Sequence, residues 1–115
     1  MDANQLQRRA REASELLKTL GNANRLMILC QLLEGEKSVG ELVRSIGLSQ
    51  SALSQHLARL RRDHLVSTRR SAQTIYYAIT AAEARSVLQT LHGLYCGREL
   101  PETTAAASEV ARLSL

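Results

Sequence analysis

Two cysteines and a nearby histidine are the residues of this 115-residue sequence best suited to chemistry. Cys30 falls on the apolar stripe of a predicted helix, where a free cysteine commonly acts as a small hydrophobic side chain. Cys96 falls on a polar stripe at the end of another predicted helix, with His92 one turn before it. The imidazole would favour a Cys96 thiolate, and the helix C-terminus would oppose it. Thiols in such positions exchange with disulfides and persulfides or bind thiophilic metals.

Arginines form the second group of residues with a chemical role. Between residues 49 and 73 there are five arginines and one aspartate, so this window alone accounts for the chain's formal net charge of +4. Arginine is the side chain suited to bidentate contacts with phosphate and guanine. The arginines of the window are Arg59, Arg61, Arg62, Arg69 and Arg70. Their concentration indicates a polyanionic partner.

The composition argues against several other functions. Three tyrosines, with no phenylalanine or tryptophan, are too few for a platform that stacks single-stranded bases. We find no glycine-rich phosphate loop, no Ser–His–acid spacing and no paired acids among apolar residues, so an enzyme or a cofactor is not expected. The longest apolar runs are shorter than a membrane span, and the N-terminus lacks a signal pattern. We therefore expect a cytoplasmic protein with no membrane partner.

Periodicity predicts the elements that position these residues. Apolar residues recur at spacings of three and four in a first helix that ends at Gly21, a second that ends near Gly35, a third from about Ser38 to Ile46, and a fourth capped by Ser49. The first helix carries an apolar seam: Leu6, Ala10, Ala13 and Leu17.

The period changes after residue 65. Val66–Arg70 and Thr74–Ile79 are rich in β-branched and aromatic residues, which predicts a hairpin, and a fifth helix is expected from about Ala81 to Cys96. The prediction is a mainly α fold with a β-hairpin wing, a winged helix-turn-helix of five to six helices. Residues 1–100 would form a single DNA-binding and dimerisation domain, followed by a tail at 101–115 with at most a weak helix.

The residues of the fourth helix and hairpin resemble those of the ArsR family of small dimeric bacterial repressors. The resemblance rests on SALSQHLARL at 51–60, Leu65-Val66, Arg69-Arg70 and the IYY of 75–77, together with LGNANRL at 20–26. It covers roughly residues 15–95. Two features differ: Asp63-His64 replaces the usual Ala-Gly, and the wing tip lacks its usual glycine. The resemblance implies double-stranded DNA with an inverted-repeat operator as the partner.

The fourth helix and the wing supply the residues expected at DNA. Gln50, Ser51, Ser54 and Gln55 lie on the first turns of the helix, where side chains meet base edges. The residues expected at the phosphate backbone or in the wing contact are His56, Arg59, Arg62, Arg69, Arg70 and Gln73. His56 has an equally good interpretation as a packed, hydrogen-bonded residue, and Arg61 is assigned to a surface ion pair.

A homodimer is expected because one short helix reads too few base pairs for useful specificity. The two helical surfaces available for the interface are the seam of the first helix and the apolar face of the fifth. The corresponding residues are Leu6, Ala10, Ala13, Leu17, Leu88, Leu91 and Tyr95.

The signal that controls the protein is also suggested by the resemblance. The family's usual metal sites are missing, because residues 38–42 contain no cysteine and His92 is the only histidine of the fifth helix. A cysteine in the second helix with another ending the fifth is similar to the sulfide- and persulfide-responsive branch, which includes the biofilm growth-associated repressors. This implies that Cys30 and Cys96 sense reactive sulfur species or an oxidant by becoming linked.

Two alternatives remain open at this point. One is a repressor responsive to arsenite or a thiophilic metal, with Cys30, Cys96 and His92 as ligands. The other is a constitutive family member, such as an anti-repressor, whose cysteines are incidental.

Overall fold

The computed structural model describes residues 1–97, which form five α-helices and three β-strands. The predicted tail, residues 101–115, lies outside the described residues. The elements are α1 (Ala3–Leu20), α2 (Ala23–Leu33), β1 (Lys37–Ser38), α3 (Val39–Ile46), α4 (Gln50–Arg62), β2 (Val66–Ser71), β3 (Thr74–Ile79) and α5 (Ala82–Tyr95). This is the mainly α fold with a wing that the sequence predicts.

Local capping explains where α3 and α4 begin and end. Ser38 precedes α3 rather than starting it: its hydroxyl accepts from the Glu41 amide, and the Glu41 carboxylate accepts from the Ser38 amide. Gly47 ends α3 with φ 87°, a left-handed conformation that glycine adopts without steric cost. The Ser49 hydroxyl then accepts from the Ala52 amide and starts α4. These contacts define the helix-turn-helix.

The wing is a three-stranded antiparallel sheet rather than a two-stranded hairpin. The strand order is β1-β3-β2, with Lys37 paired to Tyr77 and Ser38 to Tyr76. Because β1 has two residues, it is too short to produce a periodic sequence signal. β1 attaches the wing to the segment between α2 and α3.

Both departures from the family pattern occupy left-handed backbone. His64, just after α4, has φ 62°, and Ala72, in the turn between β2 and β3, has φ 56°. A side chain in this region costs about 1–2 kcal/mol relative to ordinary backbone. The chain therefore keeps turns suited to glycine while carrying other residues there.

The core is built from leucines of all the helices, extended by the ends of the wing strands. The fully buried large side chains are Ile28, Leu29, Leu32, Leu42, Leu53, Leu57, Leu60 and Leu88. Among the described residues, no helix is long and apolar enough to cross a membrane.

Candidate DNA interface and dithiol site

The first turns of α4 present four polar side chains to solvent. Leu53, Leu57 and Leu60 turn towards the core, so Gln50, Ser51, Ser54 and Gln55 lie on the exposed side. Ser49 already caps the helix, and within residues 1–97 the four side chains make no hydrogen bond to protein. Their donors and acceptors are thus available to base edges, which is the arrangement expected for direct readout.

His56 lies at the margin of this surface. It is half-buried, and its ring has no hydrogen-bond partner among the residues that the structure describes. The hydrogen bond of the packed interpretation is not formed within residues 1–97, and both interpretations of His56 stay predictions.

Two arginines expected at phosphates are held by carboxylates of the protein. Arg59 Nε donates to Asp63 Oδ2 over 2.9 Å. Arg69 Nε lies 2.9 and 2.8 Å from the two carboxylate oxygens of Glu36, and its guanidinium carbon stands 4.7 Å from the centre of the Tyr76 ring. Arg69 lowers the pKa of Glu36, chiefly through its hydrogen bond to the carboxylate.

The remaining arginines of the window have their charge available. Arg61, Arg62 and Arg70 are exposed and form no ion pair with the described residues. The ion pair expected for Arg61 is thus absent within residues 1–97, while Arg59 and Arg69 form the pairs. The i,i+4 spacing of Arg59 and Asp63 could have indicated the first pair.

The wing tip approaches the start of α3. Gln73 is exposed beside Thr74 and Ile75, and these residues border an open groove of about 390 Å³ with Ser38 and Gly40. Gln73 is therefore an exposed polar residue at the tip of the wing, and its contact with DNA stays a prediction.

The two cysteines, 66 positions apart in sequence, are brought together by the packing of α5 on α2. Cys30 lies on α2 beside fully buried Leu29, and Cys96 directly follows α5; both are free and half-buried. The pKa of the Cys30 thiol is raised, first by burial and second by the nearby negative charge of Cys96.

An open groove of about 300 Å³ leads to Cys30. Leu33 and Glu34 border it on one side, and Gln89 and His92 from α5 border it on the other. A small thiol-reactive molecule can thus approach Cys30 from solvent. Across residues 1–97, no three His, Cys, Asp or Glu side chains converge in a way that could hold a metal ion, so Cys30, Cys96 and His92 do not form an assembled metal site.

The predicted interface residues divide into surface and core. Leu6 and Leu17 are 60% and 61% exposed, and Ala10 and Ala13 are exposed beside them on α1. On α5, Tyr95 is exposed and Leu91 half-buried.

Leu88 corrects the prediction. It is fully buried in the core of the single chain, because α5 turns this side chain and Ala84 towards α2 and β3. Its assignment to a dimer interface is wrong.

Comparison with known proteins places the chain among bacterial regulators. Residues 22–68 match the family described as "Bacterial regulatory protein, arsR family". The transcriptional activator HlyU of Vibrio cholerae is 50% identical over 96 residues, which are 84% of this chain and 89% of that protein. The biofilm growth-associated repressor of Xylella fastidiosa is 43% identical over 99 residues, covering 86% and 87%.

Solved structures agree with the sequence comparison. Reduced HlyU from Vibrio cholerae superposes with a TM-score of 0.78 at 51% identity, over 80% of this chain and 97% of that one. The repressor BigR from Xylella fastidiosa gives 0.75 at 44% identity, over 84% and 98%. These relatives are regulators of transcription rather than enzymes, and they share the winged helix-turn-helix described above. The chain therefore belongs to the ArsR family and is a DNA-binding transcriptional regulator.

Proposed function

We propose that the chain is a homodimeric, cytoplasmic repressor that releases an inverted-repeat operator when Cys30 and Cys96 become linked by a disulfide or by bridging sulfur. The observation that carries this proposal is the packing of α5 on α2, because Cys30 lies on α2, Cys96 directly follows α5, and both thiols are free and half-buried. One solved relative is described as reduced HlyU, which supports a redox role for thiols on this fold.

The proposed chemistry needs a persulfide or polysulfide as the sulfur donor. A cysteine thiolate attacks the outer sulfur of RS–SH, the S–S bond breaks, and RS⁻ leaves with the electron pair, which gives Cys–S–SH. The second thiolate then attacks the cysteine sulfur of this adduct and displaces HS⁻, so a disulfide forms. If the adduct first takes another sulfur atom from a second RS–SH, with loss of RS⁻, it becomes Cys–S–S–SH. Attack of the second thiolate on the middle sulfur of this chain then displaces HS⁻ and leaves one bridging sulfur atom between the two cysteines.

The surroundings of Cys30 oppose its ionisation. Burial raises the pKa of Cys30, so a smaller fraction of it is thiolate at neutral pH. A link of this kind is transient in a reducing compartment, as a sensor requires.

Linkage would act on DNA binding through the dimer. α2 packs against α3 and α4, whereas α5 carries Leu91 and Tyr95 of the proposed interface. Tying the end of α5 to α2 would move the interface relative to the recognition helix. Two recognition helices must match half-sites about 10 bp apart, so a shift of about 1–2 Å weakens many contacts at once.

The exposed seam of α1 supports the homodimer. Leu6 and Leu17 lie on the same side of an 18-residue helix that packs on the rest of the chain mainly through α2 near its C-terminal end. An exposed apolar stripe on such a helix marks a surface for another helix. A second copy of the chain satisfies both this surface and the need for two half-sites.

Serine variants of the two cysteines test the proposal. An inverted-repeat duplex is selected from random sequences with the reduced protein, and binding is followed by fluorescence anisotropy during addition of sodium tetrasulfide. We expect Cys30→Ser, Cys96→Ser and the double variant to bind as tightly as the original chain and to remain bound. Release of the double variant at the original tetrasulfide concentration would contradict the proposal.

A second candidate function is supported by the name of the HlyU relative, an activator. In this case the bound chain would displace a silencing protein, and the cysteines would have no sensing role. Transcription by purified polymerase on the selected operator separates the two: a repressor lowers it, whereas a displacing activator has no effect without the silencing protein.

A further inference from the structure

A hydrogen bond joins the end of α1 to the end of α4. Thr19 is the one buried polar side chain among the described residues, with 3% of its surface exposed. Its hydroxyl donates to Asp63 Oδ2 over 2.7 Å and lies 3.3 Å from the Glu15 carbonyl oxygen. A hydroxyl has one proton, so the shorter contact takes it.

Asp63 stands where a carboxylate is electrostatically unfavourable. It caps the C-terminal end of α4, and its own amide donates to the carbonyl of Arg59. The negative end of the helix dipole repels a carboxylate there. The hydrogen bonds from Thr19 and Arg59, in that order, nevertheless lower the pKa of Asp63. The local sequence of α4 alone therefore does not explain this carboxylate, whereas its partner on α1 does.

The peptide at Thr19 is fixed from a second direction. Arg25 of α2 donates from Nε to the Thr19 carbonyl oxygen over 2.6 Å and from Nη2 to that of Lys18 over 3.1 Å. These bonds satisfy carbonyls left unpaired at the end of α1. The Thr19 side chain thus extends from a held backbone position and transmits that position to α4.

We infer that Asp63 is a positioning residue for operator binding, which fixes the recognition helix relative to α1 through the Thr19 hydroxyl. α1 packs mainly on α2, and within residues 1–97 the Thr19–Asp63 contact is the hydrogen bond that connects it to α4. The inference rests on the proposed function, because α1 carries the seam assigned to the second copy. The bond then sets the distance between the two recognition helices.

Thr19→Val tests the inference. Valine has nearly the shape of threonine and lacks the hydroxyl, and the Arg59–Asp63 pair remains in place. Thr90→Val is the matched control, because the Thr90 hydroxyl donates over 3.0 Å to the Ser86 carbonyl of its own helix, on the exposed side of α5. Thr19→Ser keeps the hydroxyl and should behave as the original chain.

Three duplexes give the readout: the selected operator, the same operator with the half-sites moved apart by one base pair, and a single half-site. For Thr19→Val we expect the preference for native over altered spacing to fall about tenfold, the effect of one charge-assisted hydrogen bond. Half-site affinity should stay close to that of Thr90→Val, whereas the midpoint of thermal unfolding should fall below that of Thr90→Val, because the Thr19–Asp63 hydrogen bond also stabilises the fold. If the hydrogen bond had only a structural role, Thr19→Val would lower the unfolding midpoint and leave the spacing preference unchanged.

Each other outcome has a defined meaning. If Thr19→Val keeps the spacing preference of the original chain within twofold, or if half-site binding falls as much as operator binding, the positioning role is wrong. If the original chain shows no spacing preference, the homodimeric function fails, and the positioning role fails with it.

Discussion

Arg69 and Arg70 are adjacent arginines on β2 for which we predict opposite behaviour at DNA. Arg69 is held by both carboxylate oxygens of Glu36 and covers the ring of Tyr76, whereas Arg70 is exposed with no partner among the described residues. In an antiparallel pair, successive side chains point to opposite faces, so the two guanidinium groups leave the strand in different directions. Arg70→Gln should therefore remove a phosphate contact, and Arg69→Gln should not.

The salt dependence of binding gives the magnitude. Each phosphate contact contributes about 0.9 to the slope of log affinity against log salt concentration on B-DNA. A dimer with two wings therefore loses about 1.8 in slope with Arg70→Gln. Between 50 and 200 mM salt, this variant should lose about 12-fold less affinity than the original chain. Arg69→Gln should leave the slope unchanged.

Glu36→Gln is the complementary change. Without the carboxylate, Arg69 is released to phosphate, and the slope should become steeper by about 0.9 for each wing. Titrations of a labelled operator by fluorescence anisotropy at four or more salt concentrations measure all three variants. If Arg69→Gln and Arg70→Gln flatten the slope equally, Glu36 does not withhold Arg69, and the reasoning is refuted.

Four further predictions test other parts of the structure. Gln55→Ala should alter base preference in a selection experiment more than total affinity, and equal losses on all sequences would exclude direct readout. His64→Gly should raise the free energy of unfolding by about 1 kcal/mol, because glycine adopts the left-handed backbone conformation of position 64 without the steric cost of a side chain. An unchanged denaturant midpoint would show that His64 does not strain the backbone. Leu88→Ala should cost about 2–5 kcal/mol of stability, whereas Leu91→Ala costs clearly less; similar losses would contradict their different burial. Because the pKa of Asp63 is lowered on folding, its stabilising effect is complete above the ordinary aspartate value of about 3.9 and is lost as pH falls through the folded-state pKa. The difference in free energy of unfolding between the original chain and Asp63→Asn should therefore become smaller below about pH 4. A difference that does not change with pH would refute the stabilising role of the Asp63 carboxylate.

The helices and the exposed polar face of α4 were predictable because their causes are local. Ser49 caps α4, and the spacing of Leu53, Leu57 and Leu60 determines which side is buried. The exposed position of Gln55 follows from that spacing. A reader of the sequence needs only neighbours within one or two turns to place these residues.

The Arg69–Glu36 and Thr19–Asp63 contacts were not predictable because their partners lie far apart in sequence. Glu36 is 33 positions from Arg69, and Thr19 is 44 from Asp63, so no periodic pattern connects them. Leu88 was misplaced for a related reason: an apolar stripe on a helix does not reveal whether its own chain or a second copy covers it. The proximity of Cys30 and Cys96 likewise depends on how α5 packs on α2.

The most direct test of the account is the mass of the protein that tetrasulfide releases from its operator. Trypsin cleaves after Arg25, Lys37, Arg85 and Arg98, so Cys30 lies in the peptide 26–37 and Cys96 in the peptide 86–98. We predict that the released fraction contains these two peptides joined within one chain, as a disulfide or with added sulfur atoms, and that the DNA-bound fraction contains them separate. Released protein with both peptides separate, or joined only between two chains, would contradict the account.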